Sequence, residues 1–415
     1  MLLNGEDSLL VMADLTISKK NEVYLKVDCE PHIKYELADR FSFDVEGAKF
    51  MPQYRNKYWD GKIKLFNLNK GEIYAGLIHR IQTFCEEYDY SFEFENSKFF
   101  GLPYEENDMV SYEGVKEYIN KITNFKPRDY QIEGIYDALR CNRRLIVSPT
   151  GSGKSLMIYA LSRYHAEQNK KVLIVVPTTS LVEQMYKDFY EYGWDVKTNC
   201  HRIYAGKDLF SKAPVIISTW QSLYKQDKKW FRNFSCVIGD EAHQFKSKSL
   251  MSIMTKLDGA KYRYGFTGTL DGSQTHKWVL EGLFGSSYKI VNTKDLQEAG
   301  YLAKLNIKVL ILKHDPQEFE VYEDEIKYLI SHERRNKFIK NLVHDLKGNT
   351  LVLYSRVATH GQILFDLINT NSRRVFFVHG GVDTEERETV RQIAESENNA
   401  IIVASFGTFS TGINI

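Results

Sequence analysis

The chain has 415 residues, 43% hydrophobic and 26% charged, with a net charge of +1; this balance predicts two to four globular domains and confines any nucleic-acid surface to a local patch. Its five cysteines, Cys29, Cys85, Cys141, Cys200 and Cys236, lie far apart, which excludes a zinc knuckle or a dense disulfide frame and predicts reduced thiols in a cytoplasmic protein. Acidic residues interrupt the N-terminal stretch MLLNGEDSLLVMADL and no apolar run reaches the ~18 residues of a bilayer span, so neither a secretory signal nor a membrane segment is expected.

Residues 1–105 mix short alternating segments with turns, as a small α+β domain does. Asp60-Gly61 and Lys70-Gly71 read as hairpin turns. GLIHRIQTFCEEY reads as an amphipathic helix with Leu77, Ile81, Phe84 and Tyr88 on one face. The stretch QYRNKYWDGKIKLF interleaves Arg55, Lys57, Lys62 and Lys64 with Tyr54, Tyr58 and Trp59. Cations among aromatics suit a DNA surface, although a small domain also needs aromatics for its core. Trp59 inward with Arg55, Lys57 and Lys62 outward satisfies both. Residues 106–122 read as a polar connector with helical content.

From about residue 123 short apolar runs alternate with helical patterns. The runs RLIVS (144–148), KVLIVVP (171–177), PVIIST (214–219), SCVIGD (235–240) and YRYGFTG (262–268) predict a parallel sheet with helices on both faces. The rhythm resumes with LNIKVLILK (305–313), TLVLYS (350–355), RVFFVHG (374–380) and AIIVAS (400–405). Two tandem α/β domains, 123–300 and 301–415, are expected.

The most informative stretch is RRLIVSPTGSGKSLMIYALSRYH. A strand runs into Thr150, Gly151, Ser152 and Gly153, then Lys154, Ser155 and a helix. The glycines let the backbone curl so that its amides face a triphosphate at the positive end of the helix. Lys154 is placed for the β/γ-phosphates of ATP and the Ser155 hydroxyl for Mg²⁺. Ser148 stands where this motif usually has its first glycine. FSCVIGDEAHQF adds a strand ending in Asp240, a second Mg²⁺ holder, and Glu241, which can orient and deprotonate the attacking water. His243 is placed to sense the γ-phosphate.

GDEAH resembles the DEAH form of the superfamily 2 helicase signature, and seven further motifs occur in the order of that family. FKPRDYQ resembles its adenine motif, which implies Gln131 on the adenine edge with Arg128 or Tyr130 packed nearby. VVPTTSLVEQ and STWQSL resemble nucleic-acid-contact motifs. GFTGTL resembles the coupling motif, with Thr267 and Thr269 linking hydrolysis to movement. VLYSRV and FFVHGGVDTEERE resemble second-domain motifs, and SFGTFSTGINI resembles the fifth motif. The resemblance implies two tandem RecA-like parallel-sheet domains, the second one incomplete. It also implies single-strand contacts through Pro177, Thr178, Thr179, Thr219, Trp220, Gln221, Ser355, Arg356, His379, Ser405 and Thr408, with Gly412 and Asn414 near the ribose and γ-phosphate. Trp220 reads equally well as core packing.

FSFDVEGAKFMPQYRNKYWDGKIKLF ahead of such a motor is similar to the UvsW-type recombination helicases of phages. That resemblance covers about Phe41 onward. It implies an N-terminal domain like a double-stranded-RNA-binding fold and an ATP-dependent helicase acting, as a monomer, on branched DNA: forks, Holliday-type junctions, D-loops or R-loops. It further implies 3′ to 5′ tracking on single-stranded DNA, with ATP closing a cleft between the two motor domains. An RNA helicase and a restriction-system translocase are the enzyme alternatives, the latter without a convincing nuclease constellation here. The family's Q-x-x-G-R-x-x-R motif does not occur before Ile415, so a longer helicase is expected; a chain complete at this length would read better as an ATP-dependent binding switch.

Overall fold

The computed structural model describes residues 13–45, 47–95, 100, 110–204, 208–270, 273–370, 373–381, 389–390, 393 and 396–409. The chain divides into two compact units, Met1–Lys304 and Leu305–Ile415.

The first unit opens with an antiparallel pair, β1 (Leu15–Lys19) and β2 (Tyr24–Cys29). The Asn21 side-chain oxygen accepts from the Val23 and Tyr24 amides and shapes the turn between them. A helix over Pro31–Arg40 starts with proline at its first position, where the missing N–H has no intrahelical partner to lose. β3 (Ser42–Asp44) and β4 (Lys62–Lys64) make a separate antiparallel ribbon. β5 (Phe66–Asn67) and β6 (Glu72–Tyr74) form a hairpin on β2, and β7 (Phe92–Phe94) returns parallel to β1 after a helix over Ile78–Glu87. The sheet order is β5-β6-β2-β1-β7.

Lys70-Gly71 is a hairpin turn as expected; Gly71 has φ +64°, and a Cβ there would stand 2.6 Å from the Val27 carbonyl oxygen. Asp60-Gly61 is different. Gly61 turns the chain into β4 at φ +80°, but the partner of β4 is β3. Between them Pro52 starts a short helix, Pro52–Arg55, where alternation suggested a strand. The buried face of the Ile78–Glu87 helix is Ile78, Ile81, Phe84 and Cys85. Tyr88 lies past its end, 50% exposed, so it does not continue that face.

The motor sheet of this unit is all parallel: β8 (Arg143–Val147), β9 (Val172–Val176), β10 (Cys200–Ile203), β11 (Val215–Thr219), β12 (Cys236–Gly239), β13 (Tyr262–Thr267) and β14 (Ser287–Lys289), in the order β10-β11-β9-β12-β13-β8-β14. The predicted strands 144–148, 171–177, 214–219, 235–240 and 262–268 all fall in it. Along β9, Leu173 and Val175 enter one core while Val172, Ile174 and Val176 enter the other. Both faces of the sheet are covered, which is why the runs are continuously apolar. The edge strands β10 and β14 read CHRI and SYK, too polar and short to stand out from sequence.

The stretch expected as a connector contributes a helix, Tyr112–Ile122, whose N-cap Ser111 hydroxyl accepts from the Gly114 amide. Its Val115, Ile119 and Ile122 join the motor core, so it is part of the domain it precedes.

The other core is continuous with that of the N-terminal sheet. At its rim Trp278, on the helix Gln274–Phe284, has ring centroids 5.2 Å from Phe41 and 5.1 Å from Phe43, with the Arg40 and Arg80 guanidinium groups 5.6 and 5.2 Å away. Burying an indole is worth on the order of 4–6 kcal/mol of transfer free energy. Beside it Glu281, 1% exposed, accepts from Arg80 and from the Ser287 amide and hydroxyl. Burial alone would raise its pKa, but His79 and Arg80 override this and hold it at about 2.

The second unit contains a parallel three-stranded sheet, β15 (Thr350–Tyr354), β16 (Val375–Val378) and β17 (Ile401–Ser405), in the order β15-β17-β16. It matches the runs at 350–355, 374–380 and 400–405. The run at 305–313 is a correction: it forms no strand, and Leu305, Ile307, Val309 and Ile311 are 75–82% exposed. Among the described residues it is paired with no strand of any sheet.

Candidate active site and DNA surface

β8 ends at the loop that the glycines were expected to curl. Gly151 has φ +78° and Gly153 φ +80°, a region open to glycine at little cost. The helix Lys154–Glu167 starts directly after Gly153. Ser148, fully buried, hydrogen-bonds the Ser152 hydroxyl, which donates to the Pro149 carbonyl at 2.6 Å. A serine therefore substitutes for the motif's usual glycine by bracing the loop from within. Lys154 Nζ rests on the Ser148 and Pro149 carbonyls at 3.3 and 3.4 Å, with Thr150 across from Gly268.

Asp240 follows β12, alongside β13. It is 8% exposed, and its Oδ1 accepts from the Glu241 amide at 2.9 Å. Burial and the neighbouring Glu241 raise its pKa to about 6, partly offset by Lys154. A crowded, desolvated carboxylate beside a phosphate loop fits a site for a divalent cation. Glu241 holds φ +49°, left-handed backbone of the strained kind found at functional sites. Its Oε2 lies 3.4 Å from His243 Nδ1, which is 3.1 Å from the Thr267 hydroxyl. That hydroxyl donates to the Thr269 carbonyl at 2.8 Å. An unbroken polar line thus runs from the acidic pair to the coupling motif.

Two further placements were not legible in sequence. The Ser155 hydroxyl shares a 2.7 Å hydrogen bond with the Tyr192 hydroxyl. Gln131, expected on adenine, is 4% exposed and braces the loop. Its Nε2 donates to the Ser152 and Gly153 carbonyls at 2.9 and 3.3 Å, while its Oε1 accepts from the Arg128 amide at 2.9 Å. The Tyr130 hydroxyl also donates to the Ser152 carbonyl, at 2.8 Å, and accepts from Arg128.

Of the strand-contact candidates on the first unit, Pro177 and Thr219 are buried, Thr178, Thr179 and Trp220 half-buried, and Gln221 exposed. The Thr178 hydroxyl caps the helix Thr179–Glu191. Thr219 shares a bond with Ser222, and Gln221 Nε2 reaches the Pro177 carbonyl at 3.4 Å. Trp220 packs partly against the core. On the second unit Ser355 is exposed, Arg356 pairs with Glu323 at 2.7 Å, and His379 Nδ1 accepts from the Gly381 amide at 3.1 Å. Ser405 ends β17, and Thr408 falls in a short helix, Phe406–Phe409. Gly412 and Asn414 lie outside the described residues.

In the N-terminal domain the basic and aromatic residues come together. An open groove of about 780 Å³ is lined by Lys49, Tyr54, Arg55, Lys57, Tyr58, Trp59, Asp60 and Lys64. Tyr58 is 84% and Phe50 77% exposed, so these rings do not fill the core. Trp59 is half-buried, its indole N–H donating to the Lys62 carbonyl at 2.8 Å. Asp60 offsets one cation through a 2.5 Å pair with Lys64. Phe50 and Lys49 carried no signal of their own in sequence, because their exposure depends on the helical excursion.

All five cysteines are free thiols. Among the described residues no helix is long and apolar enough to cross a membrane, and no cluster of three or more His, Cys, Asp or Glu is placed to hold a metal by itself.

Residues 124–272 match the family model of the type III restriction enzyme res subunit, and residues 14–95 that of the N-terminal domain of DNA helicase UvsW. The chain is 33% identical over 422 aligned residues to the ATP-dependent DNA helicase uvsW of Enterobacteria phage T4, covering 97% of this chain and 82% of the relative. It is 32% identical over 201 residues to the DNA 3′-5′ translocase XPB2 of Sulfurisphaera tokodaii, covering 47% and 42%. A crystal structure of T4 UvsW superposes with a TM-score of 0.61 at 31% identity, covering 97% of this chain and 82% of that one. A second T4 UvsW structure gives 0.60 at 32% identity, covering 66% and 99%.

Proposed function

The chain belongs to the UvsW family of ATP-dependent DNA helicases, and from this we propose that it remodels branched DNA, working as a monomer in the cytoplasm of an infected cell. It is an enzyme that couples ATP hydrolysis to movement on nucleic acid. The observation that carries the mechanism is the polar line from Glu241 through His243 to Thr267 and Thr269, beside a curled phosphate loop. The loop amides and Lys154 bind the triphosphate. Ser155 and Asp240 hold Mg²⁺, which neutralises phosphate charge when bound. Glu241 orients the attacking water and takes its proton. His243, touching both Glu241 and Thr267, passes the state of that site to the coupling segment.

Movement follows from alternate grip on one strand's phosphates. Thr178, Thr179 and Gln221 in the first unit, and Ser355, Arg356 and His379 in the second, are the contacts we assign. Phosphate contacts of this kind bind without reading sequence. The groove around Tyr54, Arg55, Lys57 and Tyr58 holds duplex near the junction, so translocation separates or re-pairs strands there.

The decisive experiment uses Lys154→Ala. DNA-stimulated ATP turnover should be lost, while junction binding stays within about twofold of the wild type. Turnover at the wild-type rate would remove the engine from this site.

A further inference from the structure

The excursion between β3 and β4 carries one side chain whose exposure a duplex contact does not explain. Among the described residues no large aromatic or apolar side chain is more exposed than Tyr58, at 84%. The turn behind it is strained. Lys57 holds φ +58°, left-handed backbone that a lysine adopts only where its surroundings impose it. Two backbone bonds impose it here: the Lys57 amide donates to the Tyr54 carbonyl and the Tyr58 amide to the Gln53 carbonyl, both at 3.0 Å. The neighbouring aromatics are fixed. A Cβ on Gly61 would stand 3.0 Å from the Tyr54 ring, so that ring lies on the glycine, and the Trp59 indole is tied to the Lys62 carbonyl. Tyr58 is thus the open ring on a braced base, in a groove that Lys49, Arg55 and Lys57 also line.

The groove's volume, about 780 Å³, is that of a small-molecule site, with room for roughly one or two nucleotides. A duplex therefore lies along its rim, and only single bases enter it. In a continuous duplex each base face is covered by the next pair. At a branch point that stacking is interrupted, and a base face is open to an aromatic ring whatever the sequence. Lys49, Arg55 and Lys57 supply positive charge for the flanking phosphates, while the one acid of the groove, Asp60, is already paired with Lys64.

We propose that Tyr58 stacks on the base face exposed at the branch point of forked DNA, so that this ring, rather than the cations around it, selects branched over continuous DNA. The inference rests on the reading of the groove as the surface that holds DNA, and it names what that surface recognises.

The test measures equilibrium binding of the full chain, at fixed salt, to a synthetic fork and to an unbranched duplex of the same length. In Tyr58→Ala the preference for fork over duplex should fall about tenfold, as loss of one base–aromatic stack does, and Tyr58→Phe should restore it. Abasic sites in the pair at the branch point should cost the wild type a similar factor, and cost Tyr58→Ala no more than about twofold. A preference in Tyr58→Ala within about threefold of the wild type overturns the proposal. So does a full abasic penalty in that variant, because the base then meets another partner. Exchanging Arg55 and Lys57 for Glu separates the two levels. If fork affinity is unchanged, the groove reading falls and the proposal with it; a loss there beside an intact preference in Tyr58→Ala removes the stack alone.

Discussion

Asp240→Asn should stabilise the protein while abolishing its chemistry. Asp240 is held in the folded protein near pH 6 against an ordinary 3.8, chiefly by burial and then by Glu241. At 1.36 kcal/mol per tenfold this is a penalty of about 3 kcal/mol once the carboxylate ionises. The sign follows from the raised value. Below about pH 4 the group is protonated folded or unfolded, and it costs nothing. As pH rises from about 4 to 6 the unfolded chain releases its proton first, so stability falls across that window and stays lower above it. Asparagine keeps the shape and the oxygen that accepts from the Glu241 amide, without the charge. At pH 7.5 and without nucleotide the variant should be more stable by up to about 3 kcal/mol, visible as a melting midpoint raised by a few degrees. At pH 5 the wild type recovers part of its loss, and the gap should narrow by roughly 1.5 kcal/mol. Thermal melts of both proteins across pH 5 to 7.5, with DNA-stimulated ATPase in parallel, decide the matter. A variant no more stable at pH 7.5, or a gap that ignores pH, refutes the argument that Asp240 is kept ionised for a cation at a cost in stability.

Glu281→Gln should loosen the N-terminal domain from the motor sheet. Leaving Arg80 without its buried carboxylate costs on the order of 3 kcal/mol. Because the folded value is about 2 against 4.5, that support is present above about pH 4.5 and lost as pH falls towards 2; faster hydrogen exchange in the helix Ile78–Glu87 would report the loosening. Tyr192→Phe frees the Ser155 hydroxyl from a competing partner. One hydrogen bond of about 1 kcal/mol predicts a roughly fivefold drop in the Mg²⁺ concentration for half-maximal ATPase, and an unchanged value would show that Tyr192 does not compete. Exchanging the groove residues Arg55 and Lys57 for Glu should weaken junction DNA more than single strands and flatten the salt slope by ~0.7–0.9 for each phosphate no longer neutralised. An unaltered slope would leave the groove without a DNA role.

The engine was largely legible in sequence because its chemistry is local. A strand buried on both faces must be apolar throughout, so β8, β9, β11, β12 and β13 announced themselves. A backbone that cradles phosphate needs φ > 0 at fixed positions, and Gly151 and Gly153 declare it. Asp240 and Glu241 could be singled out as a carboxylate pair at a strand end, and the structure places Asp240 close enough to the loop for Lys154 to act on its charge. What depended on tertiary structure involved partners distant in sequence or the absence of a neighbour. The buried Glu281 lock joins residues 201 apart. The run Leu305–Leu312 has the composition of a buried strand, yet a strand exists only where another edge completes its ladder. Exposure of Tyr54 and Tyr58 likewise turned on Pro52, which starts a helix in a stretch whose alternation suggested a strand. Composition and motif determined which residues can do the chemistry. The packing of separated segments decided what holds them in place: Gln131 braces the phosphate loop from 21 residues away, and Ser155 meets Tyr192 across 37.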